Sequence, residues 1–260
     1  MHSVPPEVSA LLREIADRLP SRLGANLVGV YLYGSLTQRA FDPARSDVDC
    51  IVVTRRDLSD AQFRRLGAWL RRAAGSNPWA SRLQMTFLIR DEVLTMNSRA
   101  CHYQFGQLRR GGSDGNPIIW LNVLQSGVVL HGPHPETFVP EITSDILREA
   151  LERELNYLRE EITLKPGSDW RDVPSYRAYA VLTVCRILHT SRRGTVVSKP
   201  AAARWALKNL PANWHALIRQ ALRSGKRHPP EDIPLPRIAR FIEFADARLR
   251  AAGHARALPE

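Results

Sequence analysis

Three apolar runs of seven residues, Leu27–Tyr33, Val48–Thr54 and Leu83–Ile89, restrict this chain more than any other feature. Each is rich in β-branched and aromatic side chains and is bounded by turn-forming residues, the mark of a buried strand. An amphipathic helix over residues 7–19, with Val8, Leu11, Leu12, Ile15 and Leu19 on one face, precedes the first run. Ser59 with Gln62 makes a capping box for a second helix over 60–74. Residues 90–138 are less regular. Gly111 to Pro117 reads as a loop, a short helix follows, and 128–133 reads as an edge strand closing the sheet. After Pro133, Pro135 and Pro140 the pattern becomes helical alone, over 145–164, 175–193 with Gly194 as C-cap, 200–210, 214–223 and 236–252. The reading is an α+β chain: a mixed-sheet domain in residues 1–138, then an all-helical bundle in 139–260.

Bulk properties narrow the class. No stretch approaches the ~20 apolar residues needed to cross a bilayer, and the first residues lack the basic start and apolar run of a signal peptide. Cys50, Cys101 and Cys185 are scattered and without metal-ligand spacing. These features predict a soluble, cytoplasmic, reduced monomer with no membrane contact. The net charge of +11 invites nucleic acid as a partner. Yet only four of the 37 basic residues are Lys, and the Arg pairs lie on helical patterns beside apolar positions, as solvated faces do. A nucleic-acid surface is therefore not expected, and a triphosphate ligand suits the same field.

Chemistry is concentrated in Gly34-Ser35, an eleven-residue spacer, and Asp47-Val48-Asp49. A Gly directly after a strand lets backbone approach a ligand, and the next N–H and hydroxyl can hold phosphate oxygens. Aspartates at i and i+2 on a strand project from one face, where their carboxylates can share hard divalent cations. Either half alone is an ordinary turn or cap. Strand, Gly-Ser, spacer, Ser46-Asp47-x-Asp49 and strand, in that order, are specific. Elsewhere, His131 and His134 lack further ligands at zinc spacing, Ser35 lacks a nucleophile elbow, and Trp205, Trp214 and Cys185 read as core.

Tyr33-Gly34-Ser35 through Ser46-Asp47-Val48-Asp49 resembles the signature of the DNA polymerase β-type nucleotidyltransferases. The run from Val181 through Arg186 and Lys199 to Pro211 is similar to the C-terminal helical domain of aminoglycoside adenylyltransferases of the streptomycin/spectinomycin type. The resemblance implies a polymerase β-like domain followed by a helical domain. It implies transfer of AMP from ATP, the co-substrate, to a hydroxyl of an aminoglycoside-like acceptor, a modification associated with antibiotic resistance. By position, Asp47 and Asp49 are the catalytic pair and hold two Mg²⁺ ions. Gly34, Ser35, Ser46, Arg186 and Lys199 contact the nucleotide, and Trp170 and Asp172 contact the acceptor.

Three departures from that family are visible. Gln84 stands where a catalytic glutamate is expected on the third strand, and an amide cannot accept the proton. Tyr176 and Arg177 replace acidic residues beside the acceptor segment, and Arg177 would repel a cation. Gly225 falls where an adenine-stacking tyrosine is expected, and Leu108 where an aromatic follows the Gln-Phe-Gly step. Gln84 motivates an alternative, a catalytically impaired nucleotide-binding protein or regulator on the same fold. The charge motivates another, a polymerase-like enzyme acting on RNA or protein.

Overall fold

The computed structural model describes residues 4–96, 100–112, 114–224 and 232–256, with side chains through Ala251. Two compact units divide the chain, residues 1–141 and 142–260.

The first unit is built on a six-stranded sheet in the order β5-β4-β3-β2-β1-β6. Strands β1 (Leu27–Tyr33), β2 (Val48–Thr54) and β3 (Leu83–Ile89) occupy the three predicted runs. The β1–β2 pair is antiparallel and the β2–β3 pair parallel, so the sheet is mixed as expected. β4 (His102–Gln104) and β5 (Gln107–Arg109) form a short hairpin within the less regular stretch 90–138. β6 (Val128–His131) is the predicted edge strand, antiparallel to β1.

Alternation along the strands divides the sheet into two faces. Val30, Leu32, Val48, Cys50, Val52, Met85 and Phe87 form one core with α1 (Pro6–Leu23) and α2 (Asp60–Ser76). The Ser59/Gln62 capping box is present at the head of α2. On the opposite face Tyr31 meets Trp120 of α3 (Pro117–Ser126) edge-on at 6.1 Å and Phe138 at 5.9 Å. Their polar tips find partners: the Tyr31 hydroxyl donates to the Pro133 carbonyl and the Trp120 indole N–H to the Val93 carbonyl. Asp47, Asp49 and Gln84 fall on this second face, at its open end, because they share alternation phase with Tyr31, Ile51 and Leu88.

The second unit is helical. Its helices are α4 (Ser144–Arg159), α5 (Asp169–Asp172), α6 (Pro174–Arg193), α7 (Lys199–Asn209), α8 (His215–Arg223) and α9 (Leu235–Arg256). α6 is central, packing against α4, α5, α7, α8 and α9. It ends at Gly194 in the left-handed conformation, as predicted. Trp205 and Trp214 are half-buried rather than core: Trp205 meets His189 edge-on and Trp214 packs on Phe241 and Phe244. No helix among the described residues is long and apolar enough to cross a membrane.

Candidate active site

The site begins where β1 stops. Gly34 has φ +82°, a left-handed conformation that L side chains rarely adopt. A Cβ built there would lie 2.4 Å from Oδ2 of Asp49, so the second carboxylate rests directly on bare backbone. The Gly34 N–H donates to Oδ1 of Asn122, a buried side chain of α3, at 3.0 Å. Its carbonyl accepts from the Thr37 hydroxyl and the Gln38 amide, each at 3.1 Å. The turn holding Gly34 and Ser35 is thereby pinned on both sides, with Ser35 half-exposed within it.

The loop delivering the first carboxylate is tied just as closely. The Asp42 amide donates to the Ser46 hydroxyl oxygen at 2.9 Å, and the Ser46 amide returns to the Asp42 carbonyl at 2.8 Å. Ser46 is therefore a strut of this loop, with its own O–H still able to donate. Arg82, the last residue before β3, donates to the carbonyls of Pro43 and Ser46, and its Nε lies 4.0 Å from Oδ1 of Asp47. Its guanidinium stacks 4.4 Å over Trp79, which holds the fork in place.

In the parallel register Asp49 pairs with Gln84 and Val48 with Leu83. Gln84 Nε2 donates to Oδ2 of Asp47 at 3.0 Å. Asp47, Asp49, Gln84, Gly34 and Ser35 thus meet at one end of the sheet. Asp91 and Glu92, which follow β3 at its far end, are separated from Gln84 by the length of the strand, roughly 20 Å. They cannot replace a base at position 84.

Neither Arg82 nor Asn122 is marked by a local sequence pattern. Arg82 becomes visible only once the Val48–Leu83 pairing sets it level with Asp47. Asn122 lies in the weakly patterned stretch, and only the helix packed beside β1 shows its target. Among the described residues no group of three or more His, Cys, Asp or Glu is poised for a metal, and His134 pairs with Glu136 at 3.4 Å. The two aspartates nevertheless fit one hard divalent ion accompanied by phosphate oxygens, since Mg²⁺ is usually held by one or two carboxylates plus substrate phosphates. Gln84 adds a neutral oxygen where a third carboxylate is lacking.

In the helical unit Trp170 is the hub of an aromatic cluster. Tyr157, Tyr176 and Tyr179 meet it edge-on at 5.9, 5.5 and 5.2 Å, and its indole N–H donates to the Tyr157 hydroxyl. The Lys199 ammonium lies 3.7 Å over the Tyr179 ring. Burial works against ionising the Tyr179 phenol, but the charges of Lys199 and then Arg186 outweigh it and draw the phenol below its ordinary value. Those two cations therefore share one patch with the aromatic cluster. Asp172 is exposed at the end of α5. Arg177 is not the repelling charge expected from sequence: it is turned inward, onto the Asp232 carboxylate and the Arg171 carbonyl. Gly225 lies outside the described residues.

A Gly-Ser turn set against an Asp-x-Asp strand in a mixed sheet, followed by a helical unit, is the arrangement expected of a nucleotidyltransferase with an appended helical domain. Residues 137–247 match the family model "aminoglycoside adenylyltransferase, C-terminal domain". The chain is 26% identical over 234 residues to an aminoglycoside (3'') (9) adenylyltransferase of Shigella flexneri, covering 83% of this chain and 84% of the relative. It is 24% identical to a spectinomycin 9-adenylyltransferase of Campylobacter jejuni, covering 85% of each. Its fold matches the crystal structure of spectinomycin adenyltransferase AAD(9) from Enterococcus faecialis, determined with ATP and spectinomycin. The TM-score is 0.69 at 18% identity, over 94% of this chain and 98% of that one. The chain is similar to aminoglycoside adenylyltransferases over most of its length, and most of its second unit matches the model of their C-terminal domain.

Proposed function

We propose that the protein transfers AMP from Mg-ATP to a hydroxyl of an aminoglycoside-like compound. The observation that carries this reading is the seating of Asp49 on the Gly34 backbone beside Asp47, at the end of a mixed sheet. Bare backbone and two carboxylates are what a triphosphate and its divalent ions need in one place. The relatives, each named for adenylyl transfer to an aminoglycoside or spectinomycin, supply the acceptor class.

In this reading residues 1–138, within the first compact unit, form the nucleotidyltransferase domain. Asp47 and Asp49 would hold the Mg²⁺, two ions being the full complement, which when bound would supply charge against the triphosphate and polarisation of the α-phosphate. Gly34 and Ser35 present backbone and hydroxyl to the phosphates, with Ser46 donating from the neighbouring loop. Arg186 and Lys199 add cationic contacts to the phosphates, and the Lys199 site at the head of α7 is favourable for an anion. Trp170 and Asp172 receive the cationic acceptor by stacking and pairing. The acceptor oxygen bonds to the α-phosphorus as the bond to pyrophosphate breaks. Gln84 spends its N–H on Asp47, leaving its carbonyl oxygen to orient the acceptor hydroxyl without taking its proton. The proton passes to water, which predicts a slow chemical step.

The test is pyrophosphate release from Mg-ATP by the purified protein, with spectinomycin and streptomycin added separately and Asp49→Asn as control. Acceptor-dependent release that vanishes in the variant is expected. Tight Mg-ATP binding with no release for any amino-sugar would replace this reading with that of a silent nucleotide binder.

A further inference from the structure

The β4–β5 hairpin turns on two residues, Phe105 and Gly106, between the paired Gln104 and Gln107. Both have positive φ, 52° and 73°. Such a turn is the province of Asn-Gly or Gly-Gly, and a bulky aromatic at its first position is a backbone outlier. Packing does not explain the choice, because Phe105 is 74% exposed, the highest value among the large hydrophobic residues described. The residue is costly to the turn and unused by the core, a combination that points to a ligand.

Register says where this ring stands. Met85 of β3 pairs with Tyr103 of β4, so one step further Gln104 is level with Gln84. The turn therefore projects from the same end of the sheet as Asp47, Asp49 and Gly34. Across that end the order is Gly34 and Ser35 just after β1, the two aspartates at the start of β2, Gln84 on β3, and Phe105 beyond β4. Phe105 stands two strand spacings, ~10 Å, from the carboxylate strand. An in-line displacement puts the attacking oxygen and the leaving pyrophosphate on opposite sides of the α-phosphorus. With the phosphate tail at the β1 turn, the acceptor comes in from the β3–β4 side.

We infer that Phe105 is a specificity residue for the acceptor, offering its ring to the apolar face and ammonium groups of an amino-sugar. This rests on the transferase reading above. A cation-rich ring laid on an aromatic face beside two carboxylates gains from both.

The test uses the full chain with Phe105→Gly, Phe105→Ala and Phe105→Tyr. Spectinomycin and streptomycin are each titrated calorimetrically in the presence of Mg²⁺ and a non-hydrolysable ATP analogue. Phe105→Gly relieves the turn and is expected to raise the melting midpoint by about 2–4 °C. It should nevertheless weaken acceptor binding about ten-fold with nucleotide affinity unchanged. Phe105→Ala should show the same binding loss, and Phe105→Tyr should retain affinity. Unchanged acceptor affinity in the Gly and Ala variants, or an equal loss of nucleotide affinity, overturns the inference while leaving the transferase reading intact. A parent protein that binds nucleotide but neither acceptor overturns both.

Discussion

Replacing Gln84 by Glu exchanges one donor for one charge at nearly constant shape, which makes it the sharpest probe of the carboxylate cluster. The Gln84 Nε2–Asp47 Oδ2 hydrogen bond at 3.0 Å is lost, and two carboxylates face each other across that gap. Coulomb's law at 3.0 Å gives about 1.4 kcal/mol of repulsion in bulk water and about 5.5 kcal/mol at an effective dielectric of 20. The Asp47 side chain is 43% exposed, so the cost lies near the lower figure, about 1–2 kcal/mol. In the absence of divalent ions Gln84→Glu should therefore melt roughly 2–8 °C below the parent. Millimolar Mg²⁺ should close that gap, because the added carboxylate completes an oxygen cage around the ion. If the missing proton acceptor limits chemistry, acceptor-dependent pyrophosphate release should also rise, by ~10² or more. Melting curves with and without Mg²⁺, followed by turnover, decide the matter. Equal midpoints without metal and an equal Mg²⁺ shift in both proteins would refute the electrostatic argument. A fall in turnover would show that the amide has its own role.

Gly34→Ala should cost roughly 1–3 kcal/mol from the left-handed backbone alone. The new methyl would also meet Asp49 Oδ2 at 2.4 Å. Nucleotide affinity, measured by titration calorimetry, should fall further than stability does. His189, nearly buried, donates from Nδ1 to the Thr195 carbonyl, and its pKa is lowered, first by burial and then by Arg193 against that bond. The folded state therefore binds fewer protons than the unfolded chain. The contribution of His189 to stability is complete above the ordinary histidine value, ~6.5, and is lost as pH falls through the lower folded value. His189→Gln should flatten that part of the stability–pH profile in denaturant titrations.

Much of the sheet was legible because its three central strands are continuous apolar runs ended by breakers, and their bounds follow from that contrast. The β4–β5 hairpin was not, since three-residue strands bearing His102, Gln104, Gln107 and Arg109 carry no alternation long enough to read. α1 runs to Leu23 through Pro20, beyond the predicted stop at 19. α4 was expected to continue evenly to 164, but its last turn, Glu160–Leu164, widens to π geometry. There Glu161 is buried, held by Lys165 at 2.8 Å and by Ser168. In the candidate site, Gly34, Asp47 and Asp49 announce themselves by spacing. Arg82 and Asn122 act through register and helix packing, which no local pattern encodes.

The cysteines, unremarked by any chemistry above, give the molecule a set of internal clocks. Cys50 and Cys101 lie wholly inside the first unit and Cys185 wholly inside the second. Burial pushes the Cys101 and Cys185 thiols up to about 12 and raises Cys50 as well, with the Asp49 charge adding to it. Thiolate, the form that reacts with disulfide reagents, is therefore scarce while the chain is folded. Labelling then proceeds only as fast as each unit opens, so its rate at each sulfur reports local unfolding. Because Cys50 adjoins Asp49 on the opposite face of β2, slower labelling there in the presence of nucleotide would time the opening of the strand that carries Asp49.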